Sequence, residues 1–105
     1  MEEKVTRLKA EILKALAQPT RLKILECLRD GERCICEIVP AVHGEQSNIS
    51  RHISMMQKNH LVETRKDGVK LMVKVKDPKI FYILDRVGDI LKGHMNEQKK
   101  LIRSL

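Results

Sequence analysis

Large aromatic side chains are nearly missing from this chain, which has no Trp, one Tyr (Tyr82) and one Phe (Phe81) among 105 residues. The core must therefore be aliphatic, and a chain this short buries only about two-thirds of its unfolded surface. Such a core is thin, so burying further surface against a second subunit would help to stabilise it. Long apolar runs are missing too. No stretch approaches the ~20 residues that cross a bilayer, and the polar, acidic start Met1-Glu-Glu-Lys has no apolar segment resembling a signal peptide. These absences predict a cytoplasmic protein without a membrane partner. Cysteines are few and odd in number, at three, which fits free thiols in a reducing compartment better than a disulfide framework. There is no repeat, low-complexity tract or Pro/Gly/Ser linker, so residues 1–105 read as one domain.

Positive charge is abundant. Lys and Arg number 21 against 14 Asp and Glu, a net charge of +7 with a pI near 9.5, which favours a polyanion such as nucleic acid. Charge of this size also serves plain solubility, so a nucleic-acid reading needs an element that could enter a groove.

The pattern along the chain supplies one. Val5, Leu8, Ile12, Leu13 and Leu16 recur at helical spacing and predict an amphipathic helix from Lys4 to Leu16. It ends near Gln18, because a residue before proline disfavours helical geometry. Pro19 suits the first turn of a second helix, with Leu22, Ile24, Leu25 and Leu28 inward and Gly31 as its stop. Cys34 and Ile35 read as extended and Cys36 as the N-cap of a third helix to about Val42, although Pro40 sits awkwardly inside it. His43-Gly44 makes a turn, and a fourth helix runs from about Gln46 to Lys58. Leu61–Lys66 and Val69–Lys76 are β-prone runs joined by Asp67-Gly68, a strong hairpin signal. After Asp77-Pro78 a long last helix carries Ile80, Leu84, Val87, Leu91, Met95, Leu101 and Leu105 along one side, a stripe too long for so small a core. With the first helix it predicts a dimer seam. The expected architecture is mainly α: a dimeric winged helix-turn-helix of five helices and a two-stranded wing.

On the fourth helix, a turn of about 100° per residue lets Ser47, Asn48, Arg51 and His52 share an outward arc while Ile49, Ile53 and Met56 face inward. Short polar groups followed by Arg suit a major-groove reader, in which Arg pairs with guanine and Asn with adenine. A solvated helix face has the same composition. The tight turn before it and the hairpin after it, with Arg65, Lys66 and Lys70, favour DNA.

Cys34-x-Cys36 is the second feature. Residues two apart point to the same side of an extended segment but diverge by about 200° on a helix, so chelation by both thiolates requires the helix start to stay unwound. Metal capture would then fix this backbone and shift the helix leading to the DNA reader. A position near a helix N-terminus with Arg33 adjacent should lower the Cys36 thiol pKa. Simple packing of two small side chains is the plainer alternative. Cys27 stands where an aliphatic residue would be buried, so packing is preferred for it over ligation.

These segments resemble the ArsR/SmtB family of winged-helix, metal-responsive repressors from about Leu13 to the last helix. Gln46-Ser-Asn-Ile-Ser-Arg-His-Ile is similar to the family's recognition-helix pattern, and Glu32-Arg-Cys-Ile-Cys-Glu-Ile to its Glu-Leu-Cys-Val-Cys-Asp-Leu motif. The resemblance implies that Gln46, Ser47, Asn48, Ser50, Arg51 and His52 face DNA with Arg65, Lys66 and Lys70 of the wing. It implies that a homodimer binds an inverted repeat in double-stranded operator DNA. It also implies that Cys34 and Cys36 bind arsenite, antimonite, cadmium, lead, zinc or a similar thiophilic ion as effector. Several positions depart from the pattern. Glu45 replaces the usual Ser cap and would repel a nearby phosphate. Val39 replaces the third Cys of some arsenic sensors, leaving Cys27, His43, Glu37 or solvent to complete a site. His94-x-x-Glu97 resembles half of a zinc site between C-terminal helices, but Phe81 and Ile83 stand where the other half needs Asp and His. Asp85 and Asp89 form a further same-face pair, better read as solvated.

Two other functions compete. One is a regulator that responds to thiol oxidation or binds DNA without sensing a metal. The other is a small dithiol redox enzyme, disfavoured by the lack of a cofactor cradle and of Cys-x-x-Cys at a strand-to-helix junction.

Overall fold

Pro19 opens the second helix as its chemistry requires, and similar local signals set most other boundaries. The computed structural model describes residues 2–105, in the order α1 (Glu2–Leu16), α2 (Pro19–Cys27), β1 (Arg33–Cys34), α3 (Ile35–Ala41), α4 (Gln46–Lys58), β2 (Val62–Asp67), β3 (Lys70–Val75) and α5 (Lys79–Arg103). Gln18 is extended before Pro19 and caps α2, its side-chain oxygen accepting from the Arg21 N–H at 3.2 Å. The helix stops at Cys27, four residues before Gly31, which takes a φ of +133°.

Ile24, Leu25, Ile38, Ile49, Met56, Val62 and Val73 are fully buried, drawing α2, α3, α4 and the sheet into one aliphatic core. Leu22 departs from the expected inward set and is 38% exposed, because the short α2 turns Ile24, Leu25 and Cys27, followed by Leu28 at its C-cap, to that core. The two wing strands pair as expected, and β1 adds an unforeseen third to give the order β1-β3-β2. Arg33 pairs with Val73 and Cys34 with Met72.

The hairpin turn falls one residue later than Asp67-Gly68 suggests. Asp67 pairs with Lys70, leaving Gly68 and Val69 as the loop. Gly68 alone takes a positive φ, +62°, as a turn with glycine at its first central position requires. This spares Asp67 and β-branched Val69 the left-handed region.

The His43-Gly44 turn carries α3 into α4. His43 adopts φ 53°, and Gly44 lies so close to α4 that a Cβ there would be 2.7 Å from Ile49 Cδ1 and 2.9 Å from Cγ1. Ile49 is wholly buried and has nowhere to swing. Gly44→Ala should therefore destabilise the protein by roughly 1–3 kcal/mol through overpacking, read as a lower urea midpoint. An unchanged midpoint would show that the space beneath α4 is looser than described.

Only the first turns of α5 join the core, with Ile80 buried and Ile83 and Leu84 packed against it. Arg29, two residues beyond the end of α2, holds this helix by donating to both carboxylate oxygens of Asp85 and lying 4.9 Å over the Phe81 ring. Beyond Leu84 no residue of α5 is buried. Val87, Ile90, Leu91 and Met95 stand open, as do Val5, Leu8 and Ile12 of α1.

Candidate DNA interface and thiol pair

Ile49, Ile53 and Met56 seat α4 on the core, which turns its opposite face outward. Gln46, Ser47 and Arg51 are exposed, with Ser47 and Arg51 one turn apart, while Asn48, Ser50 and His52 are half-buried. Glu45 occupies the N-cap in an extended conformation, but its side chain makes no cap hydrogen bond. The first turn of α4 holds no acidic residue.

His52 is less free than its place on a helical wheel suggests. Its Nδ1 accepts a hydrogen bond from Arg21 Nε at 3.1 Å, and Arg21 Nη1 donates to the Ala15 carbonyl at 3.1 Å. Burial, then the Arg21 and Arg51 guanidinium groups, pushes the imidazole pKa below its ordinary value.

The wing also divides its cations. Lys66 and Lys70 are exposed beside the hairpin tip. Arg65, expected with them on the DNA side, is also engaged within the chain: Nε and Nη2 donate to the two carboxylate oxygens of Glu32 at 2.9 and 2.6 Å. The hydrogen bond from Arg65 in turn holds the Glu32 carboxyl below the usual carboxylate range. Neither Glu32 nor Arg21 was legible as a site residue, because each meets its partner across more than thirty residues of chain.

Cys34, not Cys36, is the N-cap of α3, with φ −67° and ψ 143°. Cys34 Sγ accepts from the Cys36 N–H at 3.0 Å, while the Cys34 N–H donates to Glu37 Oε1 at 3.2 Å. This reciprocal pair closes the helix start two residues earlier than expected and makes Ile35 helical. The two sulfurs still converge, because the extended N-cap swings Cys34 round to Cys36. They are joined in a disulfide with their Cα atoms 5.1 Å apart. Cys34 is fully buried and Cys36 exposed. Arg33 turns away from the pair, donating to the Cys27 carbonyl at 2.8 Å and pairing with Glu37 at 3.6 Å.

In the reduced form these sulfurs suit a soft ion held by two thiolates from one chain. Among the described residues, no three His, Cys, Asp or Glu side chains gather into a metal-sized cluster. Cys27, a free thiol, packs half-buried against the core and lines a groove of about 530 Å³ with Leu22, Glu26, Val42 and His43. His94 and Glu97 lie on the exposed distal part of α5. Asp85 and Asp89 are taken up by Arg29 and Arg86.

Comparison with known proteins places this geometry among transcription regulators. Residues 18–64 match the family described as bacterial regulatory protein, arsR family. The chain is 38% identical over 85 residues to an uncharacterized HTH-type transcriptional regulator of Methanocaldococcus jannaschii, covering 79% of this chain and 86% of that one. It is 39% identical to the arsenical resistance operon repressor of Staphylococcus xylosus, over 69% of each chain. In solution, the homodimeric winged helix-turn-helix DNA-binding domain from Mycobacterium bovis has the same fold, with a TM-score of 0.78, 26% identity and 89% coverage of both chains.

Proposed function

Because this chain belongs to the ArsR/SmtB family of DNA-binding transcription regulators, and is no enzyme, we propose that it is a homodimeric repressor released from operator DNA by a thiophilic ion held between Cys34 and Cys36. The observation that carries this reading is the convergence of the two sulfurs at a point shared by the helix-turn-helix and the wing. Cys34 both caps α3 and pairs with Met72 of β3. An ion drawing on its sulfur competes with the Cys36 N–H that the sulfur accepts, and so alters the helix start that leads into α4. Through β3 and the Glu32–Arg65 pair the same strain reaches the wing.

Arsenite, antimonite, cadmium, lead and zinc all suit thiolates, and relation to an arsenical resistance repressor favours arsenite among them. The reach of Cys34 to Cys36 also supports a second reading, in which oxidation of the pair is the signal. Residues 1–105 act as one winged-helix domain whose α1 and α5 dimerise. Related by a two-fold axis, the two α4 helices would sit about 34 Å apart on an inverted repeat.

The DNA side of the proposal is tested by substitution. Arg51→Ala should lose roughly 1–3 kcal/mol at its base step and relax sequence preference there. Lys66→Ala or Lys70→Ala should weaken all duplexes alike and flatten the salt dependence. Fluorescence anisotropy on operator and unrelated DNA separates these outcomes, and an Arg51→Ala protein with unaltered affinity and preference would remove α4 as the reader.

A further inference from the structure

An arginine on α2 and a histidine on α4 meet at the edge of the proposed DNA face, where chemistry fixes which nitrogen of the ring carries its proton. Arg21 Nε lies 3.1 Å from His52 Nδ1. A guanidinium only donates, so Nδ1 must accept, and the proton of the neutral imidazole must sit on Nε2. A doubly protonated ring would set one N–H against another and one cation against another. The charged groups facing the ring are Arg21 from α2 and Arg51 from its own helix, and both disfavour that form.

Arg21 itself is held in place. It is half-buried, and Nη1 donates to the Ala15 carbonyl, one of the acceptors left open at the C-terminus of α1. The arginine therefore joins α1, α2 and α4 through directional bonds.

From this geometry we infer that Arg21 is a positioning residue for DNA recognition: it locks His52 as the Nε2–H tautomer, a neutral, fixed-direction donor to a hydrogen-bond acceptor on the duplex. The inference rests on the reading of α4 as the DNA-facing helix. His52 lies beside the exposed Ser47–Arg51 face rather than at its centre, so the acceptor is either a phosphate oxygen at the groove wall or a base-edge atom near it.

The tautomer is measurable without DNA. Long-range proton–nitrogen spectra of the full chain at neutral pH should show His52 protonated on Nε2 and titrating below an ordinary imidazole. Arg21→Met should mix the tautomers and return the titration towards the ordinary range. On operator DNA, His52→Gln, whose amide nitrogen reaches the place of Nε2, should bind within about threefold of wild type. His52→Asn, which can mimic only Nδ1, should lose about tenfold, the usual scale of one hydrogen bond to a charged or well-placed partner. A loss shared by unrelated duplexes identifies phosphate as the acceptor, and one confined to the operator identifies a base edge. A wild-type ring protonated on Nδ1, or equal binding by the Gln and Asn variants, would overturn the inference. Arg51→Ala serves as the control: if it too leaves binding intact, the reading of α4 has failed, whereas a loss there with no effect at His52 sinks only the present inference.

Discussion

Proteins carrying Cys34→Ser or Cys36→Ser are expected to bind operator DNA like wild type and to stay bound when arsenite, cadmium or lead is added. Serine is a good helix N-cap, so Cys34→Ser keeps the α3 start that the Cys34 sulfur now closes. Cys36 is exposed, and serine there disturbs no packing. Neither change touches α4 or the wing lysines, and affinity without effector should survive. What is lost is the pair of soft ligands. An effector shifts an equilibrium only by its preference for one state, and a coupling of ~1–3 kcal/mol lowers affinity about 5- to 150-fold. That whole response should vanish in either variant. Cys27→Ser should respond nearly as wild type does, since Cys27 packs elsewhere against the core. Release of the double Cys34/Cys36 variant at wild-type ion concentrations, followed by anisotropy, would refute the thiol switch and turn attention to His94 and Glu97.

A second large effect is expected from the bare stretch of α5. Leu91 and Met95 are 58% and 53% exposed and lie one turn apart, on a helix that contributes nothing to the core beyond its first turns. Leu91→Glu with Met95→Glu should leave the fold and the urea midpoint of the separate chain intact while placing four carboxylates in a symmetric seam. Sedimentation should then report a monomer. Operator affinity should fall by about 10²–10⁴, the advantage that two linked half-sites hold over one. A dimer that persists, or a monomer that binds the operator as tightly, would show that α5 is not the seam.

The parts legible in the sequence are those whose signals are local. The buried stripe Ile49, Ile53, Met56 and the glycine of the hairpin place α4 and the wing with little help from the rest of the chain. The relation of Cys34 to Cys36 was half legible. Spacing required one of the pair to stay out of the helix, but which one depends on the Glu37 side chain reaching back to the Cys34 N–H, a contact whose N-cap a sulfur disguises. Pairing of β1 with β3, the Glu32–Arg65 bridge and the Arg21–His52 bond all join residues far apart in the chain. No periodicity announces them, and they decide which cations are free. Arg65, by composition a wing cation like Lys66, is committed to Glu32, and His52 is committed at Nδ1. Leu22 misled because a nine-residue helix has room for only a narrow buried face.

The most direct measurement is an anaerobic titration of the fully reduced protein, bound to fluorescent operator, in which thiolate-to-ion absorbance and DNA anisotropy are recorded from the same cuvette. If Cys34 and Cys36 form the switch, the absorbance should saturate at one ion per cysteine pair, the anisotropy should fall along the same curve, and both changes should be missing from Cys34→Ser. Operator release without the thiolate band, or a saturated band with the DNA still bound, would contradict the account.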